Sequence, residues 1–133
     1  MSDIILKLKN MSGFTSLSSA AEEKITQAEE ALNLTVSDEY REYVTVFGVV
    51  SFDGHEFTGI CLFPRLNVAD VTISERISNP TIPLNWYVVE QANIDGIVVW
   101  QSSAGEVWQT MPGSPPVKLC ESLCEYLELL QSS

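Results

Sequence analysis

The sequence predicts an α+β fold, because helical patterns lie at both ends of the chain and strand patterns lie between them. Two N-terminal segments repeat apolar residues at helical intervals, and the middle segments are rich in β-branched and aromatic residues. With 133 residues, 45% of them hydrophobic, the chain is long enough for one core. We therefore expect a single domain over residues 1–133: an N-terminal helical hairpin, a central, mainly antiparallel, twisted sheet, and a C-terminal helix packed on the sheet.

Two amphipathic helices are predicted to form the hairpin. In the first, Ser19 lies three residues before Glu22, which is the spacing of a capping box. Apolar residues then recur at helical intervals, at Ala21, Ile25, Ala28 and Leu32. In the second, DEYREYVTVF, Ser37 is the expected N-cap and Gly48 follows the last turn. The short connection NLTV joins the two helices into a hairpin.

Four short segments after the second helix predict the strands of a meander: FTGICLF, WYVVEQ, GIVVWQ and EVWQT. The last three are separated by ANID and SSAG, which are short enough to connect antiparallel neighbours. The tail KLCESLCEYLELLQ spaces Leu119 or Cys120, Leu123, Leu127 and Leu130 along one face, and this spacing predicts the C-terminal helix.

Three tryptophans, Trp86, Trp100 and Trp108, fall in successive predicted strands. Strand alternation places Trp100 on the same face as Val98 and on the face opposite Val99. Two interpretations follow. The indole rings pack in the core against the helices, or at least one is partly exposed beside carboxylates, a composition typical of interface hot spots.

The net charge is −11, from 18 acidic and 7 basic residues. The acidic excess is concentrated in residues 19–56 and 77–133. A surface this negative repels the phosphates of nucleic acid and anionic lipid, so we expect neither nucleic acid nor a membrane as a partner. A basic protein would be attracted, whereas solubility alone is the alternative explanation of the charge.

The apolar runs are far shorter than the roughly 20 residues of a membrane span, and the start MSDIILKLKN lacks the pattern of a secretory signal. We therefore expect a cytoplasmic protein. The three cysteines, Cys61, Cys120 and Cys124, cannot all pair and have no C-x-x-C spacing, so we expect reduced thiols. They do not form a recognisable zinc set with the single histidine, and the sequence indicates neither a metal nor another cofactor.

That histidine, His55, lies between Asp53 and Glu56 in the stretch FDGHEFTG. An acid–His–acid cluster is one place to look for a general base, but neighbouring residues of an extended segment point to opposite faces, so His55 and Glu56 should diverge. The sequence also identifies no nucleophile or oxyanion donor to complete a site. We predict a turn at the Asp-Gly pair, anchored by Phe52 and Phe57, and no enzymatic activity. A catalytic site around His55 is the alternative.

Several short motifs follow one another in a recognisable order. They begin at Ile25 (Ile-x-x-Ala-Glu-x-x-Leu), Tyr40 (Tyr followed by Phe-Gly), Phe52 (Phe-x-Gly-x-Glu) and Asp95 (Asp-Gly before a strand). Over Ile25 to Leu127 their order and spacing resemble the SUKH superfamily, which contains bacterial immunity proteins and fungal cell-wall-synthesis regulators. The resemblance implies a non-enzymatic, protein-binding domain with an α+β fold.

Bacterial members of that superfamily are typically immunity proteins that bind and neutralise polymorphic toxins, many of them nucleases. The resemblance and the charge of −11 together suggest a cytoplasmic immunity protein for a cognate basic toxin. The fungal branch implies the alternative, a regulatory adaptor that binds an endogenous protein. The acidic turn and the carboxylates of the sheet region give the residues expected on the partner-binding surface: Asp53, His55, Glu56, Asp70, Glu90 and Asp95.

Overall fold

The computed structural model describes residues 3–92 and 94–131, so the expected domain limits at residues 1 and 133 lie outside the described part. Its elements follow in this order: α1 (Asp3–Lys9), β1 (Thr15–Ser16), α2 (Glu22–Leu32), α3 (Asp38–Phe47), β2 (Val50–Phe52), β3 (His55–Glu56), α4 (Val68–Ser78), β4 (Trp86–Gln91), β5 (Val98–Ser102), β6 (Val107–Met111), β7 (Ser114–Cys120) and α5 (Leu123–Gln131). The α+β prediction is confirmed.

The predicted hairpin consists of α2 and α3. Glu29 of α2 closes it, because its carboxylate accepts a hydrogen bond from the Val36 N–H at 2.9 Å and pairs with Arg41 of α3 at 2.5 Å. The Ser37 cap is confirmed, since its side-chain oxygen accepts the N–H of Tyr40. The Ser37 N–H also donates to the Tyr87 hydroxyl of β4 at 3.0 Å, which ties the start of α3 to the sheet.

The first turn of α2 differs from the prediction. Its N-cap is Ala21, which makes no side-chain cap bond, and Ser19 lies outside the helix. The acidic residues Glu22 and Glu23 occupy the first turn, where the helix dipole favours negative charge without a capping side chain. The inward face is as predicted at Ile25, Ala28 and Leu32, which are buried, whereas Ala21 is exposed.

The strands form two antiparallel sheets, one with the strand order β1-β2-β3 and the other with the order β4-β5-β6-β7. A bridge between Phe57 and Glu90, also antiparallel, connects the two. From Trp86 to Val89 the side chains alternate as strand geometry requires, and a register shift between Val88 and Glu90 ends the alternation. Tyr87 and Val89 face the core shared with α1, α2, α3 and α5, while Val88 faces the opposite side.

The tryptophans pack on that opposite side, against α4. Trp100 is fully buried beside Val98, on the face predicted from the sequence, and its indole N–H donates to Thr110 at 2.8 Å. The rings of Trp86 and Trp108 stack with centroids 4.9 Å apart. Core packing therefore holds for Trp86 and Trp100, whereas Trp108 is only partly buried.

The predicted strand FTGICLF is wrong. Phe57 and Thr58 continue β3 through bonds to β4, but residues 60–66 form a loop.

The C-terminal tail also differs from the prediction, because Lys118 to Cys120 belong to β7 and the helix begins only at Leu123. A turn at Gly113 returns the chain along β6, and this pairing outweighs the local helical pattern. Helices α1 and α4 were not predicted.

Two glycines bring distant backbone segments into contact. The amide of Ile60 donates to the carbonyl oxygen of Gly48 at 3.0 Å, at the end of α3. A Cβ on Gly59 would overlap that same carbonyl oxygen, so only glycine fits at this crossing. The amide of Gly59 donates to Leu66 at 2.9 Å, and Val68 donates to the Gly59 carbonyl at 2.8 Å. The crossing therefore fixes both ends of the loop over residues 60–66.

Gly59→Ala should lower the free energy of unfolding by about 3 kcal/mol or more, because the added methyl group meets backbone that no side-chain rotation can move. Urea unfolding would measure this change. The matched control is Gly54→Ala: its Cβ meets no atom within 4 Å, and its φ of +82° should cost only about 1 kcal/mol. Equal losses in the two variants would contradict the crossing.

Candidate functional site

The Asp-Gly turn predicted from the sequence is a two-residue connection between β2 and β3. Asp53 and Gly54 have φ angles of +46° and +82°, the positive values that a type I′ turn requires, and Phe52 pairs with His55 across the turn. Phe52 and Phe57 are buried, as predicted. The exposed carboxylate of Asp53 therefore stands at the tip of a rigid hairpin.

The side chains of His55 and Glu56 diverge, as alternation along a strand predicts. The Nδ1 atom of His55 lies 2.6 Å from Oε2 of Glu90 on β4. Glu56 points the other way and accepts two hydrogen bonds from the Arg65 guanidinium, at 2.9 and 3.0 Å. The hydrogen bonds from Arg65 lower the pKa of Glu56 below its ordinary value. The hairpin thus has two chemically different faces.

Glu90 was expected on the partner-binding surface, but it is buried, with only 3% of its surface exposed, and forms the inner end of the His55 face. Its second oxygen, Oε1, accepts the hydroxyl of Tyr126 from α5 at 2.7 Å. Burial is the main cause that raises the pKa of Tyr126 well above its ordinary value, and the adjacent Glu90 carboxylate is the second. The Tyr126 hydroxyl therefore keeps its proton and remains a donor. A buried carboxylate needs such partners, and here two elements distant in sequence supply them.

This arrangement orients the imidazole but does not by itself make a catalytic site. His55 packs beside Phe52 at 5.5 Å between ring centroids and remains about one-third exposed. Over residues 3–92 and 94–131, the structure gives its ring no hydrogen bond to a serine, threonine or cysteine side chain. What the geometry does provide is a polar ring held at the surface by a buried carboxylate, which suits recognition of another molecule.

The cysteines and acidic residues do not gather into a metal-binding cluster within the described ranges. Cys61, Cys120 and Cys124 are partly buried free thiols. Burial raises the pKa of Cys120 and brings that of Cys124 to about 12, so both remain thiols near neutral pH.

The other expected contact residues occupy different parts of the fold. Asp95 is exposed in a second Asp-Gly turn, between β4 and β5, with φ of +54°. Because neighbouring strands alternate in direction, this turn and the Asp53 turn emerge at the same end of the sheet, here named the Asp-Gly end. Asp70 is exposed in the first turn of α4 and accepts a hydrogen bond from Asn67 at 2.9 Å. Its helix starts beside Gly59, away from the Asp-Gly end.

The loop over residues 60–66 carries exposed apolar residues that the sequence reasoning missed. Leu62 is 95% exposed and Phe63 is 59% exposed, and Arg65 follows them. They were overlooked because the segment was assigned to a strand. Gly59 and Pro64 are the signals that could have identified the loop, since both residue types interrupt strands.

Comparison with known families adds one match. A family model described as SUKH_5: SMI1-KNR4 cell-wall matches residues 1–128, a range that includes both Asp-Gly turns and the loop over residues 60–66. No curated protein matches the chain significantly. Among the helices of residues 3–92 and 94–131, none combines the length and the apolar character needed to cross a membrane.

Tyr126→Phe should reduce the free energy of unfolding by about 1.5–3 kcal/mol, because it leaves one oxygen of the buried Glu90 carboxylate without a donor. Tyr40→Phe is the matched control, since the Tyr40 hydroxyl bonds the neutral Thr58 hydroxyl at 2.8 Å and its loss should cost about 1 kcal/mol. Urea unfolding of both variants compares the two sites. A loss at Tyr126 no larger than that at Tyr40 would contradict the assigned role of Glu90.

Proposed function

The chain belongs to the SUKH (SMI1-KNR4) family, whose members are generally non-catalytic binding domains, and on that premise we propose that it is an immunity protein. In this proposal it binds a cognate basic toxin of the nuclease type and neutralises it by occupying its surface. The single observation that carries the proposal is the combination of this family with a net charge of −11.

The distribution of charge supports a basic partner. Exposed carboxylates lie on α2, on α3 and at the Asp-Gly end: Glu22, Glu23, Glu30, Asp38, Glu42, Asp53 and Asp95. A summed negative field of this kind accelerates encounter with a cationic protein. A nuclease must hold phosphates in a basic groove, so a neutralising partner gains by presenting carboxylates to that groove.

The Asp-Gly end is the proposed centre of the contact. Asp53 and Asp95 each stand on a tight turn, and the His55 ring is fixed by Glu90, so little conformational entropy is lost when these groups meet a partner. Glu90 acts from inside the fold by orienting His55. Glu56 contributes from the opposite face of the hairpin, and Asp70 extends the acidic surface at the start of α4.

A regulatory adaptor is the second candidate, and the cell-wall description of the matching family model favours it. The same acidic surface would then bind an endogenous basic protein. Genes on either side of the coding sequence separate the candidates: a toxin gene beside it supports immunity, and its absence supports the adaptor.

Association with a purified toxin encoded by a neighbouring gene should slow as salt rises and the Debye length falls from about 30 to about 10 Å, while dissociation should change much less. Stopped-flow or surface-based kinetics would measure both rates. The reason is that salt screens the long-range attraction before it affects contacts within the complex.

Charge reversal tests where that attraction is directed. Asp53→Lys and Asp95→Lys should slow association more than Glu22→Lys and Glu23→Lys, which change the same charge on the outer surface of α2. A tight complex whose association rate is independent of salt and unchanged by the two turn substitutions would refute electrostatic capture at the Asp-Gly end.

A further inference from the structure

A groove of about 590 Å³, here named the β1 groove, lies between the outer face of strands β1 to β3 and the loop over residues 60–66. Its lining residues are Thr15, Ser16, Leu17, Val49, Val50, Ser51, Glu56, Phe63, Pro64, Arg65 and Leu66. Its volume is in the range of about 300–1,000 Å³ found for ligand-binding sites. The groove is distinct from the His55 face, because Glu56 points into it and His55 points away.

The floor of the groove is a row of side chains across three strands. Thr15 pairs with Ser51, and Ser51 pairs with Glu56, so the three share the outer face of the sheet. The hydroxyl groups of Thr15 and Ser51 are 2.6 Å apart. Arg65 reaches from the loop to this row and donates two hydrogen bonds to Glu56.

The walls of the groove are apolar and exposed. Leu17 on one side is 48% exposed, and Phe63 on the other is 59% exposed, with Leu62 continuing the apolar surface outside the groove. Clustered exposed apolar side chains of this kind mark interaction sites. A large aromatic or aliphatic side chain entering between Leu17 and Phe63 would remove both from water.

Glu56 and Arg65 are the charged residues of the lining, and they neutralise each other. The Arg65 side chain is 68% exposed, and ion pairs this exposed contribute little to stability. A basic side chain from outside can therefore take the place of Arg65 on Glu56 at small cost. After such an exchange Glu56 is paired with the cation of the partner. The overall charge of −11 favours the exchange because it attracts a basic partner.

The β1 groove also borders a strand edge. Among the strands of residues 3–92 and 94–131, β1 pairs with β2 alone, and the amide of Leu17 donates to Val49 at 3.0 Å. In an antiparallel ladder the backbone groups of alternate residues face alternate sides, so those of Ser16 point away from β2. Glu56 lies two strands further in, about 10 Å from β1 at a strand spacing of about 4.8 Å, so an extended chain that reaches both Leu17 and Glu56 crosses the outer face of the sheet and does not extend its edge.

We propose that the β1 groove binds an extended segment of a basic partner protein. One large apolar side chain enters between Leu17 and Phe63, and a lysine or arginine two positions away pairs with Glu56. The basic residue is placed two positions from the apolar residue because alternate side chains of an extended chain share a face. The inference rests on the proposed function for its basic partner and adds the surface and the chemistry of one contact.

The probes are three synthetic peptides of about nine residues, built from serine and threonine. The first carries a leucine and, two positions on, an arginine; the second replaces the arginine with glutamate, and the third replaces the leucine with serine. Titration into the ¹⁵N-labelled full chain should shift amides of β1, Ser51 and residues 63–66 with the first peptide, at least about tenfold more tightly than with the other two. No shift at these amides, or equal affinities, would overturn the proposal.

Variants of the chain test the two contacts separately. Leu17→Ser and Phe63→Ser should each weaken the first peptide severalfold, whereas Ile77→Ser, which removes an apolar side chain 79% exposed on α4, should not. Glu56→Gln should weaken it, and Glu22→Gln should not. Arg65→Ala should tighten it severalfold, because the competing cation is gone; weaker binding would mean that Arg65 itself contacts the ligand and would contradict the exchange.

Failure of this inference differs from failure of the proposed function. If a basic toxin binds in a salt-dependent manner and Leu17→Ser and Phe63→Ser leave its affinity unchanged, immunity stands and the β1 groove contact is wrong. If the first peptide binds in the groove and no basic toxin binds the chain, the groove contact stands and immunity is wrong.

Discussion

The backbone crossing at Gly48 and Gly59 is the constraint on which the rest of the proposed binding surface depends. It ties the end of α3 to the segment after β3, and the adjacent bonds of Gly59 to Leu66 and Val68 set where the loop over residues 60–66 leaves the sheet and where α4 begins. One residue earlier, Thr58 accepts hydrogen bonds from the hydroxyls of two α3 tyrosines, and its own hydroxyl donates a hydrogen bond to β4. Helix, hairpin, loop and sheet are therefore positioned by one short stretch of chain.

From that stretch the hairpin over residues 52–57 presents two faces with different roles. His55 turns inward to the buried Glu90 and Tyr126, an arrangement that gives rigidity at the Asp-Gly end. Glu56 turns outward to Arg65 and forms one side of the β1 groove. The hairpin can in this way offer a partner both a fixed acidic edge and an apolar groove, which together provide attraction at long range and complementarity on contact.

The sequence predicted what depends on neighbouring residues. The Ser37 cap, the burial of Ile25, the face of Trp100 and the turn at Asp53 all follow from spacing within a few positions. The burial of Glu90 does not, because its partners come from β3 and from α5, distant in the chain. The loop over residues 60–66 has local signals in Gly59 and Pro64, but the contact that ends the strand is made between Gly59 and the distant Gly48.

Hydrogen exchange of the chain, alone and in complex with a toxin encoded beside its gene, tests the central claim most directly: that this acidic domain binds a basic protein through the Asp-Gly end and the β1 groove. Peptides that contain residues 53–56, Asp95 and residues 62–66 should exchange more slowly in the complex, while those from the outer surface of α2 should be unchanged. Protection confined to α2, with the hairpin and the loop unaffected, would contradict the claim.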